Sequence, residues 1–136
     1  MRYMMLIYTR EAEGAMTEQE VEDLKRRHRA VIEETARAGI FRGAEPLHPS
    51  TSATTLRVQD GQVLATDGPF AETKEQLAGY YILDCKDLDE AIYWGSRIPT
   101  ACGGRQGSLE IRPIQELPSQ GIAALAEKEF TAASRA

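Results

Sequence analysis

The 136-residue sequence is poor in the residues that build metal centres and disulfide frameworks. It has two cysteines, Cys85 and Cys102, and two histidines, His28 and His48. These four positions show no CxxC pair and no spacing typical of metal ligands. The sequence also lacks a P-loop, a dinucleotide-binding fingerprint and a Gly-x-Ser-x-Gly motif. We therefore expect reduced thiols, no bound metal and no cofactor.

Basic charge and long apolar runs are scarce as well. Lys and Arg number 16 against 21 Asp and Glu, which gives a net charge of −5 and argues against a nucleic-acid-binding surface. No stretch approaches the roughly 18 apolar residues of a membrane span, and the apolar run at residues 3–8 is too short for a signal peptide. The composition predicts a cytoplasmic protein that binds neither nucleic acid nor membrane.

What the chain does contain is an alternation of strand and helix patterns. Strands are predicted at residues 2–8, 79–85 and 108–113, an extended segment at 40–47, and hairpin strands at 54–59 and 62–66 around Asp60-Gly61. Helices are predicted behind the capping boxes that start at Thr17 and Asp87, the first ending at Gly39 and the second before Pro99. This order predicts an α+β fold of the ferredoxin-like, split βαβ type, with both helices on one face of an antiparallel sheet.

Two of the predicted strands are apolar on both faces. In the first strand, apolar residues occupy positions 3, 5 and 7 and also positions 4, 6 and 8, and residues 79–85 repeat the pattern. Because two helices cover only one face of a sheet, the other face needs a second cover. We predict that a second copy of the chain provides it, as a homodimer through the sheet face. The alternative is that the segment from Pro118 folds back over the sheet.

The most distinctive motif is DGPFAETKEQLAGYYIL, at residues 67–83. Together with the Thr-rich hairpin before it and the IPTACGG and LEIRPI segments after it, this motif resembles the YCII-related family, in its DGPF-containing branch. The resemblance extends over about residues 1–114 and implies a dimeric α+β barrel. We accordingly expect a YCII-related domain at residues 1–117 and a partly helical tail at residues 118–136.

The DGPF motif has two interpretations. In the first, Asp67 caps a turn and Phe70 anchors that turn in the core, because Asp-Gly-Pro is a typical turn sequence. In the second, the segment faces a pocket beside the sheet, where Phe70, Thr73 and Lys74 bind a ligand and Asp67 supplies a carboxylate. Loops held by a scaffold often carry binding residues.

His28 falls on the apolar stripe of the first predicted helix, where its polar ring needs a partner. The resemblance implies a histidine on this helix that works as an acid or base with an aspartate, so His28 and Asp67 are the predicted catalytic pair. The alternative is a boundary histidine that is hydrogen-bonded to backbone or water. His48, between Leu47 and Pro49, is predicted to lie on the surface.

Arg105 lies in a glycine-rich loop before the last strand and is the second candidate, with Lys74, to hold an anion. A tight turn is the alternative explanation for this loop.

Two functions follow from the sequence. One is a cleft between sheet and first helix that binds a small ligand, with anions among the candidates, and carries out cofactor-free acid–base catalysis. The other is a non-catalytic regulatory or protein-interaction module, which the family's association with extracytoplasmic-function sigma factors suggests.

Overall fold

The computed structural model describes residues 1–11, 15–100 and 106–117. Within them, six strands and two helices follow one another as β1 (Arg2–Thr9), α1 (Glu18–Arg37), β2 (Phe41–Pro46), β3 (Thr54–Gln59), β4 (Gln62–Asp67), β5 (Gln76–Asp84), α2 (Leu88–Gly95) and β6 (Gly107–Pro113). A short 3-10 turn at Ser50–Ser52 precedes β3. The predicted tail helix and the glycine-rich loop around Arg105 lie outside the described residues.

Four strands form the main sheet, in the order β2-β5-β1-β6, and every neighbouring pair is antiparallel. Val31 of α1 and Ala91 of α2 belong to the same buried cluster as Met5 of β1 and Leu83 of β5. Both helices therefore pack on one face of the sheet. The predicted α+β fold of the ferredoxin-like type is confirmed.

Local capping explains where the helices begin. The Thr17 side chain accepts a hydrogen bond from the Glu20 backbone amide at 3.1 Å, and the Asp87 carboxylate accepts one from the Glu90 amide at 2.9 Å. Each bond satisfies an amide that the first helical turn leaves without a partner. After α1, Gly39 adopts a φ of +75°, which is favourable only for a residue without a Cβ. Both predicted helix starts and the first helix end are confirmed.

The helices cover one face of the main sheet and not the other. On the inner face, under the helices, Tyr3, Met5 and Ile7 of β1 are buried. The side chains between them form the outer face of the main sheet: Met4 pairs with Ile82 and Leu6 with Tyr80, and all four are half-buried. The alternation predicted for the first strand and for residues 79–85 is thus present. The outer face is apolar, although no described helix lies over it.

The hairpin of β3 and β4 forms a two-stranded sheet of its own. Its turn has φ values of 52° at Asp60 and 76° at Gly61, which is the type I′ geometry that the Asp-Gly pair predicts. Nearly every residue of β3 and β4 is exposed. The hairpin therefore stands apart from the core that the main sheet and the helices share.

Strand β5 begins earlier than the apolar pattern indicates. It starts at Gln76, where Gln76 pairs with Thr9 and Leu77 with Tyr8 of β1. A register irregularity at Ile7 and Tyr8 allows this pairing. Gln76 gives no strand signal in the sequence, because the partner strand rather than its own side chain orders it.

None of the described helices is long and apolar enough to cross a membrane.

Candidate functional site

A cleft of about 900 Å³ opens between α1 and the main sheet. Residues of α1 line one wall, and residues from the end of β1, from β2 and from β5 line the other. Residues 46–49 and 99–100 complete the rim. Apolar side chains such as Ile7, Leu24 and Ile32 dominate the lining. A large, mostly apolar cleft with a few polar groups is the form that small-molecule sites usually take.

Helix α1 places His28 inside this cleft. The cap at Thr17 fixes the helix start, and residues three to four positions apart then face the sheet. Val31 and Thr35 on this stripe are buried, whereas His28, one turn earlier, is half-buried and lines the cleft. The helix therefore carries the imidazole to the edge of the core, where a ligand can reach it.

The partner of His28 is Tyr81, on the inner face of β5. The Nδ1 atom of His28 lies 2.7 Å from the Tyr81 hydroxyl, and that hydroxyl also donates to the His28 backbone carbonyl at 3.5 Å. The two rings are stacked, with centroids 5.8 Å apart. Tyr81 is 3% exposed, so the pair is held rigidly by the core. A side chain, Tyr81, thus holds the ring through Nδ1, and neither interpretation of His28 had named it.

Burial shifts the pKa of both members of the pair toward the neutral form. The pKa of His28 lies below its ordinary value of 6.5, first because burial disfavours the charged ring and second because Arg27 adds a like charge. Burial raises the pKa of the Tyr81 hydroxyl to about 12. At neutral pH the cleft therefore presents an uncharged imidazole next to a protonated phenol.

Charged side chains line the rim of the cleft. Arg10, Lys25 and Arg29 bring positive charge, and Glu11 and Glu45 bring negative charge. The Glu11 carboxylate accepts hydrogen bonds from the backbone amide and the hydroxyl of Ser50 at the start of the 3-10 turn. Hydrogen bonds from these neutral donors leave the charge of Glu11 in place, so three cations stand against two carboxylates along the described lining. In a chain of net charge −5, this is a local reversal of sign.

The residues predicted from the DGPF motif lie elsewhere. Asp67 is exposed and pairs with Thr54 at the end of β4, and Thr73 and Lys74 are exposed in the loop before β5. None of them lines the cleft, and the described residues do not bring Asp67 to His28. Phe70 is 77% exposed, so the expectation that it anchors the turn in the core is wrong. Arg105 is outside the described residues.

The sequence analysis did not identify Tyr81 as the partner of His28. The signal was available in two separate patterns. Strand alternation puts Tyr81 on the same face as Gly79 and Leu83, and helix periodicity puts His28 on the stripe that faces this sheet. Neither pattern gives the register between helix and strand, which decides that these two side chains meet. His48 is exposed, as predicted, and lies at the rim of the cleft.

Comparison with known proteins identifies one family for this chain. The sequence profile of the YCII-related domain matches residues 1–118. An uncharacterised protein of Rhizobium meliloti (strain 1021) is 40% identical over 125 residues, which is 88% of this chain and 100% of the relative. The two proteins therefore match over most of this chain and over the whole of the relative.

Proposed function

Since the chain belongs to the YCII-related domain family, we propose that it binds a small, partly apolar anion in the cleft and that His28 exchanges a proton with this ligand. One observation carries the proposal. The His28 imidazole, held at 2.7 Å by the Tyr81 hydroxyl, lies in the wall of a cleft of about 900 Å³. An acid–base group in a concave apolar site is the arrangement expected of proton-transfer chemistry.

The proposal assigns His28 the tautomer that carries its hydrogen on Nδ1, one of the two that the contact with the Tyr81 hydroxyl allows. When the hydroxyl donates its single hydrogen to the His28 carbonyl, it accepts the Nδ1 hydrogen of the imidazole. The second ring nitrogen, Nε2, then carries a lone pair. Because the pKa of His28 is lowered, this nitrogen stays unprotonated at neutral pH and is able to take a proton from a bound acid. Tyr81 orients the base in the role that the sequence analysis gave to Asp67.

The cations of the rim favour an anionic ligand. Arg29 follows His28 directly, is exposed at the rim and has no ion pair among the described residues, while Lys25 contacts only Glu22, at 3.7 Å. A carboxylate at the rim would leave the apolar part of the same molecule against Leu24 and Ile32. A ligand with a negative charge at one end and an apolar surface at the other is therefore complementary to this cleft.

A matched pair of probes tests binding. The carboxylate 1-naphthoate and the neutral amide 1-naphthamide have the same apolar body, and their dissociation constants are measured by NMR titration. We expect the acid to bind more tightly and to shift the His28 ring signals, and we expect Arg29→Gln to weaken the acid alone. Arg37→Gln is the control, because Arg37 lies in the last turn of α1 outside the cleft lining. Absence of binding by both probes, or equal binding by wild type and Arg29→Gln, would contradict this part of the proposal.

A second experiment tests proton transfer. Phenylpyruvate is an aromatic anion with an acidic C–H beside its carbonyl group, and its exchange of that hydrogen for deuterium in D₂O is followed by NMR. We expect the wild-type protein to accelerate the exchange and His28→Gln to abolish the acceleration while the carboxylate still binds. Binding without any acceleration would remove the acid–base role and favour the non-catalytic, regulatory alternative.

We also propose that the functional unit is a homodimer through the outer face of the main sheet, which gives the dimeric α+β barrel expected for the DGPF branch. The support is the apolar face itself. Met4, Leu6, Tyr80 and Ile82 lie side by side on the central strands β1 and β5, where the described residues place no helix. A two-fold copy would cover this surface with an identical one.

A further inference from the structure

Residues 53–70, which we call the arm, form hydrogen bonds that join the two ends of the segment to each other. The Gly68 amide donates to the Ala53 carbonyl and the Thr55 hydroxyl donates to the Gly68 carbonyl, each at 2.7 Å. Arg57 donates to the Phe70 carbonyl at 2.9 Å. Strands β3 and β4 contact each other far more than either of them contacts any other described strand or helix. Within the part of the chain that the structure describes, the arm is therefore a unit joined to the main sheet at its two ends.

One face of the arm is apolar and exposed. Val58 and Val63 are direct cross-strand partners and are 76% and 63% exposed. Leu56, opposite Ala65 on the same face, is 65% exposed. A two-stranded hairpin is at best marginally stable when water surrounds it, and β-branched residues are usually placed in strands where a neighbour covers them. The described residues leave this apolar face without a cover.

We infer that a second copy of this chain covers the apolar face of the arm, so that each arm is part of the dimer interface. The inference rests on the homodimer proposed above. The arm joins the main sheet near the end of β2 and the start of β5, and Glu45 and Tyr80 form a cross-strand pair in this region. One partner can therefore extend from the outer face of the main sheet onto the arm.

The exposed apolar area of the arm is large enough to form part of an interface with a second copy of the chain. Leu56, Val58 and Val63 are 63–76% exposed and Phe70 is 77% exposed, so these side chains of one arm expose on the order of 500 Å². Two arms related by a two-fold axis, together with the surfaces that they cover, would bury roughly 2,000 Å², which is the size of a stable dimer interface. Two-fold symmetry makes each contact occur twice, so a short hairpin contributes a substantial part of the total.

The arm offers a matched pair of double variants. Val58→Asp with Val63→Asp places two carboxylates directly opposite each other on the apolar face, and Gln59→Asp with Gln62→Asp places two opposite each other on the other face. Both variants put the same cross-strand repulsion into the hairpin. Only the first one puts charge into the inferred contact.

Sedimentation equilibrium of the full chain measures the dimer dissociation constant, and circular dichroism confirms that each variant is folded. We expect the valine variant to raise the dissociation constant at least tenfold and the glutamine variant to change it less than threefold. An unchanged constant in the valine variant, or an equal rise in both variants, would overturn the inference and leave the homodimer standing. A wild-type protein that is monomeric at 100 μM would overturn the homodimer and the arm contact together. Loss of dimerisation in Leu6→Asp but not in the valine variant would confine the interface to the main sheet.

Discussion

At the scale of single residues, the chemistry proposed for this protein centres on an imidazole whose charged form is disfavoured by burial. His28 is half-buried and bonds to the Tyr81 phenol, which is 3% exposed. It directly follows Arg27, whose positive charge disfavours protonation of the ring. Exposed histidines titrate near pH 6.5, and burial moves the pKa of His28 downward. A base that needs no deprotonation at neutral pH is ready to accept a proton.

The contribution of Arg27 to this state can be measured. Removing its positive charge in Arg27→Gln should raise the pKa of His28, because the like charge no longer disfavours the imidazolium. The pKa should remain below 6.5, since burial is the larger cause and persists in the variant. NMR titration of the His28 ring gives both values. Arg37→Gln, about two and a half turns after His28 on the same helix, should leave the pKa of His28 unchanged. An equal rise in that variant would point to a global effect of charge.

Asp67 provides a second residue-level prediction. A carboxylate close to His28 would favour the protonated ring, so its removal would lower the pKa of His28. The described residues instead place Asp67 on the exposed end of β4, and we expect Asp67→Asn to leave the pKa of His28 unchanged in the same titration. A fall in this pKa would show that a carboxylate from the arm does approach the imidazole, as the pairing predicted from the sequence requires.

At the scale of secondary-structure elements, the start of α1 decides where the site residue lies. His28 is in the third turn after the cap at Thr17, and its stripe continues to the buried Val31 and Thr35. Thr35 satisfies its own hydroxyl by donating to the Val31 carbonyl at 2.8 Å, so a polar residue is tolerated at 0% exposure. The helix therefore docks with a defined rotation, and His28 meets Tyr81.

The cap itself is open to test. Thr17→Ala removes the acceptor of the Glu20 amide and should lower the free energy of unfolding by about 1 kcal/mol. Urea denaturation followed by circular dichroism measures the change. Thr17→Ser keeps the hydroxyl and should lose at most a few tenths of a kcal/mol. A loss of equal size in both variants would mean that the methyl group of Thr17, rather than its hydrogen bond, stabilises the helix start.

At the scale of the whole molecule, two buried acids on β5 and just after it link stability to alkaline pH. Burial raises the pKa of Tyr81 to about 12 and that of the Cys85 thiol, which is 1% exposed, to about 11. The unfolded chain loses these protons near pH 10 and pH 9 respectively. Between the unfolded and folded values, the unfolded state holds fewer protons than the folded state, so raising the pH favours unfolding.

The free energy of unfolding should therefore be constant below about pH 8 as far as these two groups are concerned and should fall as the pH rises above 9. Tyr81 alone should account for about 3 kcal/mol of this loss once the pH exceeds 12. Urea denaturation at a series of pH values gives the profile. Tyr81→Phe is less stable at neutral pH, since it loses a buried hydrogen bond, but should show a shallower decline above pH 10. A parallel decline in wild type and variant would contradict the role of Tyr81.

The sequence by itself determined the local structure and the fold class. The capping residues Thr17 and Asp87, the Asp60-Gly61 turn and the alternation in β1 act through neighbours along the chain. Such signals are complete within a few residues, and they gave the element order and the ferredoxin-like arrangement. The placement of His28 on the sheet-facing stripe was likewise a property of helix periodicity.

Only the tertiary structure decided which side chains meet. Tyr81 reaches His28 because α1 docks on β5 in one register, and a shift of either element by a single residue would turn one of the two side chains away. The separation of Asp67 and Phe70 from the cleft arises in the same way, because β3 and β4 pair with each other instead of extending the main sheet. Motif spacing carries no information on that choice, since it depends on the free energy of packing between segments distant in the chain.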